Sequence, residues 1–185
     1  MERNGESGLN AGLLGAIFAP GGAQALPPAM GGVPAFEQGR RLLSFTGEFR
    51  HSIDAKGRLI VPSRLRDELQ NDQVVLTQWL DGCIAMWSGE GWNELERRLL
   101  EQRRSDSNAR SVVRAIVASA HTDEVDRQGR VTVPPHLREL AGITKDVVVT
   151  GALDHAELWS PEAWAGERSK VASGRLDELA QELNF

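Results

Sequence analysis

Two carboxylate and guanidinium pairs, Asp54 with Arg58 and Asp126 with Arg130, recur 72 positions apart, each with a glycine (Gly57, Gly129) directly before the arginine. Such a pair can do two kinds of chemistry. Across a tight turn it closes as an ion pair that fixes the backbone, worth less than ~1 kcal/mol when exposed. Alternatively, the arginine presents its fork of donors to phosphates or to a guanine edge. The first role suits both aspartates. The second singles out Arg58, because Lys56, Arg50, Arg64 and Arg66 lie close to it along the chain. In the second copy Lys56 becomes Gln128, Arg50 becomes Thr122 and Arg64 becomes His136. That copy has a weaker positive field, so Asp126 and Arg130 read as secondary candidates with a structural or oligomeric role.

The elements that must hold these pairs repeat with them. Ile53-Asp54-Ala55-Lys56-Gly57-Arg58-Leu59-Ile60-Val61-Pro62 returns as Val125-Asp126-Arg127-Gln128-Gly129-Arg130-Val131-Thr132-Val133-Pro134. An apolar strand precedes each turn, β-type residues follow it, and a proline ends the strand and opens a short amphipathic helix. Glycine before the arginine suits a positive φ. Further on, Val74-Val75-Leu76-Thr77 is echoed by Val147-Val148-Val149-Thr150, Asp81-Gly82 by Asp154-His155 as a turn, Ile84 to Trp87 by Ala156 to Trp159, and Trp92 by Trp164. One small unit has been duplicated.

This organisation divides the chain into a Gly/Ala/Pro-rich extension (1–43), a first repeat (44–92), a helical connector (93–120), a second repeat (121–164) and a polar, helix-compatible tail (165–185). The extension holds nine of the nineteen glycines and four of the eight prolines and reads as disordered. Leu13 to Ala19 followed by Ala23-Gln24-Ala25 has the outline of a signal peptide, but Glu2 and Glu6 give its leading segment the wrong charge. Repeats of 45 to 50 residues make poor cores alone and should bury their apolar faces against each other or another chain. In the connector Trp92, Leu95 and Leu99 share one helical face. Ser105, Asp106 or Ser107 caps a second helix, whose stripe of Val112, Val113, Ile116, Val117 and Ala120 reads as packing. Leu176, Leu179 and Leu183 keep helical spacing in the tail.

A net charge of -5 argues at first against nucleic acid, yet its distribution matters more than its sum. Between Arg40 and Arg66 seven basic residues face only Glu48 and Asp54. No apolar run approaches the ~18 residues of a membrane span. The single cysteine, Cys83, neighbours Ile84 and Met86 of an apolar strand and reads as a packed thiol. Four histidines (His51, His121, His136, His155) lack metal-ligand spacing and read as surface or turn residues. With neither a phosphate-cradling Gly-Lys-Ser/Thr loop nor a nucleophile elbow, the sequence points to no enzyme, no metal and no cofactor.

Phe45-Thr46-Gly47-Glu48-Phe49, the Ser52 to Pro62 segment, the Leu80-Asp81-Gly82-Cys83 turn and the second Asp126 to Pro134 motif together resemble the MraZ family of bacterial, AbrB-like transcriptional regulators. The resemblance covers about residues 45 to 165. It implies an α+β fold of two tandem swapped-hairpin barrel repeats that form one pseudo-twofold unit with connecting helices. It also implies a homo-oligomeric ring that binds double-stranded DNA at promoter direct repeats and represses the division and cell-wall gene cluster, its own gene included. The protein would then be cytoplasmic and nucleoid-associated. The family's DNA-contact motif falls on Asp54 and Arg58 and again on Asp126 and Arg130, with Lys56 inside the first copy. Family members usually begin near the position of Phe45, so the preceding 44 residues are expected to be either a real disordered arm or the product of a start site assigned too far upstream, the second being the preferred reading. The alternative function is an oligomeric scaffold or antitoxin-like partner binder of the same fold that does not read DNA.

Overall fold

The computed structural model describes residues 44–69, 73–104 and 106–171. The extension and the tail leucines Leu176, Leu179 and Leu183 lie outside the described residues. In chain order the elements are β1 (Glu48–Ser52), β2 (Arg58–Ile60), α1 (Ser63–Arg66), β3 (Gln73–Gln78), β4 (Ile84–Ser88), α2 (Gly89–Gln102) and α3 (Ser107–Ser119). The order then repeats as β5 (His121–Glu124), β6 (Arg130–Thr132), α4 (Pro135–Leu140), β7 (Asp146–Gly151), β8 (Ala156–Trp159) and α5 (Pro161–Lys170).

Both prolines act as their chemistry dictates. Lacking an N–H, Pro62 and Pro134 end β2 and β6 and stand at the N-caps of α1 and α4. The longer helices start on side-chain caps: Ser88 accepts from Gly91 N, Asp106 from Asn108 N and Ala109 N, and Ser160 from Ala163 N. Of the three residues offered as a cap for α3, Asp106 is the one used.

The strands do not stay within their repeats. The main sheet runs β1-β7-β8-β4-β3-β5, antiparallel throughout, while β2 and β6 form a separate two-stranded ribbon. Each repeat keeps its own hairpin (β3 with β4, β7 with β8) but gives its first strand to the other: β1 pairs with β7, and β5 with β3. Neither half completes its sheet alone, which is how two undersized units share a core.

Side-chain alternation divides that core into two layers. Val74, Leu76, Met86, Val147, Val149 and Leu158 meet the ribbon and short helices through Leu59, Val61, Leu65, Val131, Val133 and Leu137. On the opposite face Val75, Ala85 and Trp87 meet Trp92, Leu95, Leu99 and Ile116, and Val148 and Trp159 meet Cys83 and the α5 residues Ala163 and Trp164. Cys83 is buried, and that burial pushes its thiol well above the ordinary range.

Two expectations from the sequence need correction. Val117 does not pack: it is 48% exposed and, with Leu100, borders a groove of about 550 Å³ between α2 and α3, whereas Ile116 beside it is buried. His155 is no surface turn residue either. Only 7% exposed, it stacks on Trp87 with ring centroids 4.3 Å apart, and its Nδ1 lies 2.6 Å from Asp154 Oδ1. Burial alone would lower its pKa, but the carboxylates of Asp154 and Glu157 outweigh that and raise it.

A two-stranded ribbon as candidate nucleic-acid interface

The Asp-x-x-Gly segments have the residue pattern of a type I turn, with aspartate first and glycine last. In the first copy Gly57 N donates to Asp54 O at 2.9 Å, and Asp54 N donates to Arg58 O at 2.9 Å. Gly57 adopts φ +81 and Gly129 φ +76, which only glycine takes without strain. The aspartate side chain then caps the turn it opens. Asp54 Oδ1 accepts from Lys56 N and Arg58 N at 2.8 and 2.9 Å, and Asp126 Oδ1 accepts from Gln128 N and Arg130 N at 2.8 and 3.0 Å.

The other carboxylate oxygen takes the guanidinium. Arg58 Nε and Nη2 reach Asp54 Oδ2 at 2.8 and 2.6 Å; in the second copy Arg130 makes the same contacts with Asp126 Oδ2 at 2.9 and 2.7 Å. Both expected ion pairs are therefore formed, and the two copies are nearly superposable in their bonding. The arginine's hydrogen bond is the main cause, ahead of the backbone bonds, that holds the Asp54 carboxyl down to about 2; Asp126 is lowered by the same causes. Both carboxylates stay charged at any physiological pH. The carboxylate fixes the aim of each guanidinium through two of its five N–H groups and leaves the others for a ligand.

Strand pairing brings the two copies together. In the ribbon Arg58 faces Thr132, Leu59 faces Val131 and Ile60 faces Arg130. Since successive residues point to opposite faces, Leu59 and Val131 fall inward, where they are 0% and 1% exposed, and Arg58, Ile60, Arg130 and Thr132 share the outer face. The turns also lock reciprocally: Val61 N donates to Gly129 O at 2.9 Å and Val133 N donates to Gly57 O at 2.8 Å. A charge comparison sets the copies apart, but the fold merges their arginines into one surface.

The remaining candidates divide. Lys56 is exposed at the tip of the first turn. The second turn carries Arg127, also exposed, one position earlier than Lys56 in the repeat, so the charge missing at Gln128 is supplied by its neighbour. Arg64 is exposed on α1. Arg66 lies against the second turn rather than the first, since a Cβ built on Gly129 would stand 2.3 Å from its Nη1. Its counterpart Arg138 lies against the first turn, 3.6 Å from a Cβ built on Gly57, and donates from Nε to Val133 O. Sequence proximity attached Arg66 to the wrong turn and missed Arg138, although the repeat spacing aligns the two. Arg50 does not join this surface. It pairs in register with Val148, which packs on the α5 side of the sheet, while its neighbour Phe49 packs on the ribbon side. Acids also border the ribbon: Asp123 Oδ2 accepts from Thr132 N at 2.6 Å, and Asp67 lines a shallow pocket with Arg66 and Arg127.

Among the described residues, no helix is long and apolar enough to cross a membrane. Residues 44–115 and 116–183 each match the family model described as "MraZ protein, putative antitoxin-like". The division places one match on each repeat. The chain is 42% identical over 139 residues to a protein of Heliobacterium modesticaldum named "Transcriptional regulator MraZ", a match that spans 75% of this chain and 96% of that protein. Proteins of the same name from Caldanaerobacter subterraneus and Moorella thermoacetica are each 40% identical, over 75% of this chain and 95% and 96% of their own lengths. The doubled turn, the shared ribbon and these matches lead to one conclusion: this chain belongs to the MraZ family.

Proposed function

We propose that the protein is a sequence-specific DNA-binding transcriptional regulator that offers the outer face of the β2–β6 ribbon to duplex DNA. The observation that carries this reading is the convergence of Arg58 and Arg130, both partly exposed, on the outer ribbon face, each held in a fixed direction by its own aspartate. Lys56 and Arg127 extend the positive surface at the two turns. The major groove, about 12 Å wide, admits a two-stranded ribbon, and arginine is the side chain best matched to both guanine edges and phosphates. The relatives, named as transcriptional regulators, support the same reading.

The exchange of first strands between repeats supports a swapped-hairpin, AbrB-like architecture. A ring of such subunits, each contributing one ribbon, would match a series of promoter direct repeats and gain affinity through multivalency. On this reading the targets are the division and cell-wall genes, including the protein's own, and the site of action is the nucleoid.

Footprinting with the full-length chain on DNA directly upstream of its own reading frame tests the proposal. Protection in regularly spaced segments is expected. Affinity should fall roughly hundredfold between 50 and 200 mM salt if about four cations per chain displace counterions. A scaffold or antitoxin-like protein of the same fold would leave that DNA unprotected, and a flat salt response would contradict phosphate-led recognition.

A further inference from the structure

Ile60 is an anomaly on the ribbon. It is 51% exposed, whereas Leu59 immediately before it is fully buried. It belongs to none of the hydrophobic clusters and lies among cations, with Arg58 two residues back on its own strand and Arg130 directly across. Two other large exposed apolar residues, Leu100 and Val117, instead line the groove between α2 and α3. Folding therefore gives Ile60 little to do: a side chain left half in water forgoes much of the stabilisation that burial would supply.

We propose that Ile60 is a specificity-determining residue that reads a thymine by contact with its C5-methyl group in the major groove. This rests on the DNA-binding reading above and adds to it which base class the ribbon selects and through which side chain. The argument is one of elimination by chemistry. Major-groove edges of adenine, guanine and cytosine present hydrogen-bond donors and acceptors; thymine alone adds an apolar group. An aliphatic side chain on the ribbon's outer face, at one end of the ladder and beside two arginines able to take phosphates or guanine, has that methyl as its one favourable partner. At the corresponding place in the second copy stands Thr132, which carries a methyl and a hydroxyl, so the ribbon is symmetric in backbone and unequal in what its two ends read.

The test begins with selection from a randomised duplex pool by the full-length chain, which defines a bound consensus. Thymines in that consensus are then replaced one at a time by uracil, which lacks only the methyl. For the unmodified protein, one thymine per ribbon should show a roughly three- to tenfold loss of affinity on replacement. With Ile60→Ala that penalty should vanish, while the oligomer's size stays unchanged and the melting temperature falls by no more than roughly 4 °C, because only about half of the side chain is covered. Ile60→Thr, the residue its counterpart already uses in this ribbon, is the second variant and should reduce the penalty to below about twofold. Retention of the full uracil penalty by both variants overturns the assignment while leaving the DNA-binding reading intact. So does a loss of affinity that is equal for consensus and random duplexes. Failure of any consensus to emerge overturns the DNA-binding reading, and this inference with it.

Discussion

Replacing Arg58 and Arg130 together by alanine lowers affinity for the footprinted DNA at least roughly hundredfold, because each arginine is the donor array its turn is built to aim, and a good bidentate contact is worth about 1–3 kcal/mol. Fluorescence anisotropy reads the loss, and size-exclusion with light scattering reads the assembly, which should be unchanged. The substitution leaves Asp54 and Asp126 without their partners, but both carboxylates are exposed and the backbone N–H bonds to them remain. Little stability is therefore at stake. Each single variant should lose substantial affinity, since the ribbon places the two arginines on one face. If Arg130→Ala bound as well as the unmodified protein, the second turn would be a scaffold only, as the charge comparison of the repeats first indicates.

The largest effect on folding is expected at Gly151, the last residue of β7. Here the chain leading into β1 passes directly over the strand: Gly151 N donates to Gly47 O at 2.9 Å, and Phe45 and Leu153 exchange backbone bonds at 2.8 and 3.0 Å. A Cβ on Gly151 would stand 2.2 Å from the carbonyl carbon of Phe45 and 2.3 Å from Thr46 N. Both are backbone atoms that cannot rotate away. Gly151→Ala must lift Phe45, a fully buried side chain, and should cost about 3 kcal/mol or more, seen as a fall in melting temperature of roughly 10 °C. Gly82→Ala is the control. Nothing lies within 4 Å of a Cβ there, so only its positive φ is penalised, at about 1–2 kcal/mol. A Gly151→Ala protein as stable as the control would mean that β1 is not closed over β7 as described.

Much of this was legible in the sequence. The doubled Asp-x-x-Gly-Arg motif carried its own turn chemistry, and the prolines, the Asp106 cap and the face made by Trp92, Leu95 and Leu99 lie where local rules put them. Partner choice was not legible. Period-two alternation reports which residues share a face but never which strand lies alongside, so the exchange of β1 and β5 could not be read from either repeat alone. The placement of Arg66 and Arg138 follows from that exchange, because each post-proline helix lies over the other copy's turn. His155 was misread for the same reason: its alignment with Gly82 marked a turn, whereas the ring stacked on it, Trp87, comes from the other repeat. Arg50 is a different kind of error. Proximity along the chain grouped it with Arg58, although alternation from Phe49 would have turned it to the opposite face. Gly151 carried no signal at all, since the need for a missing side chain there arises only from a strand segment about a hundred residues earlier in the chain.

Hydrogen–deuterium exchange of the full-length assembly, with and without the protected upstream duplex, tests the central claim most directly. Amides of residues 54–61 and 126–133 should slow together on DNA binding, both turns responding in equal measure, while α2 and α3 around Leu100 and Val117 stay unchanged. Protection confined to those helices, with the ribbon unaffected, would contradict the account.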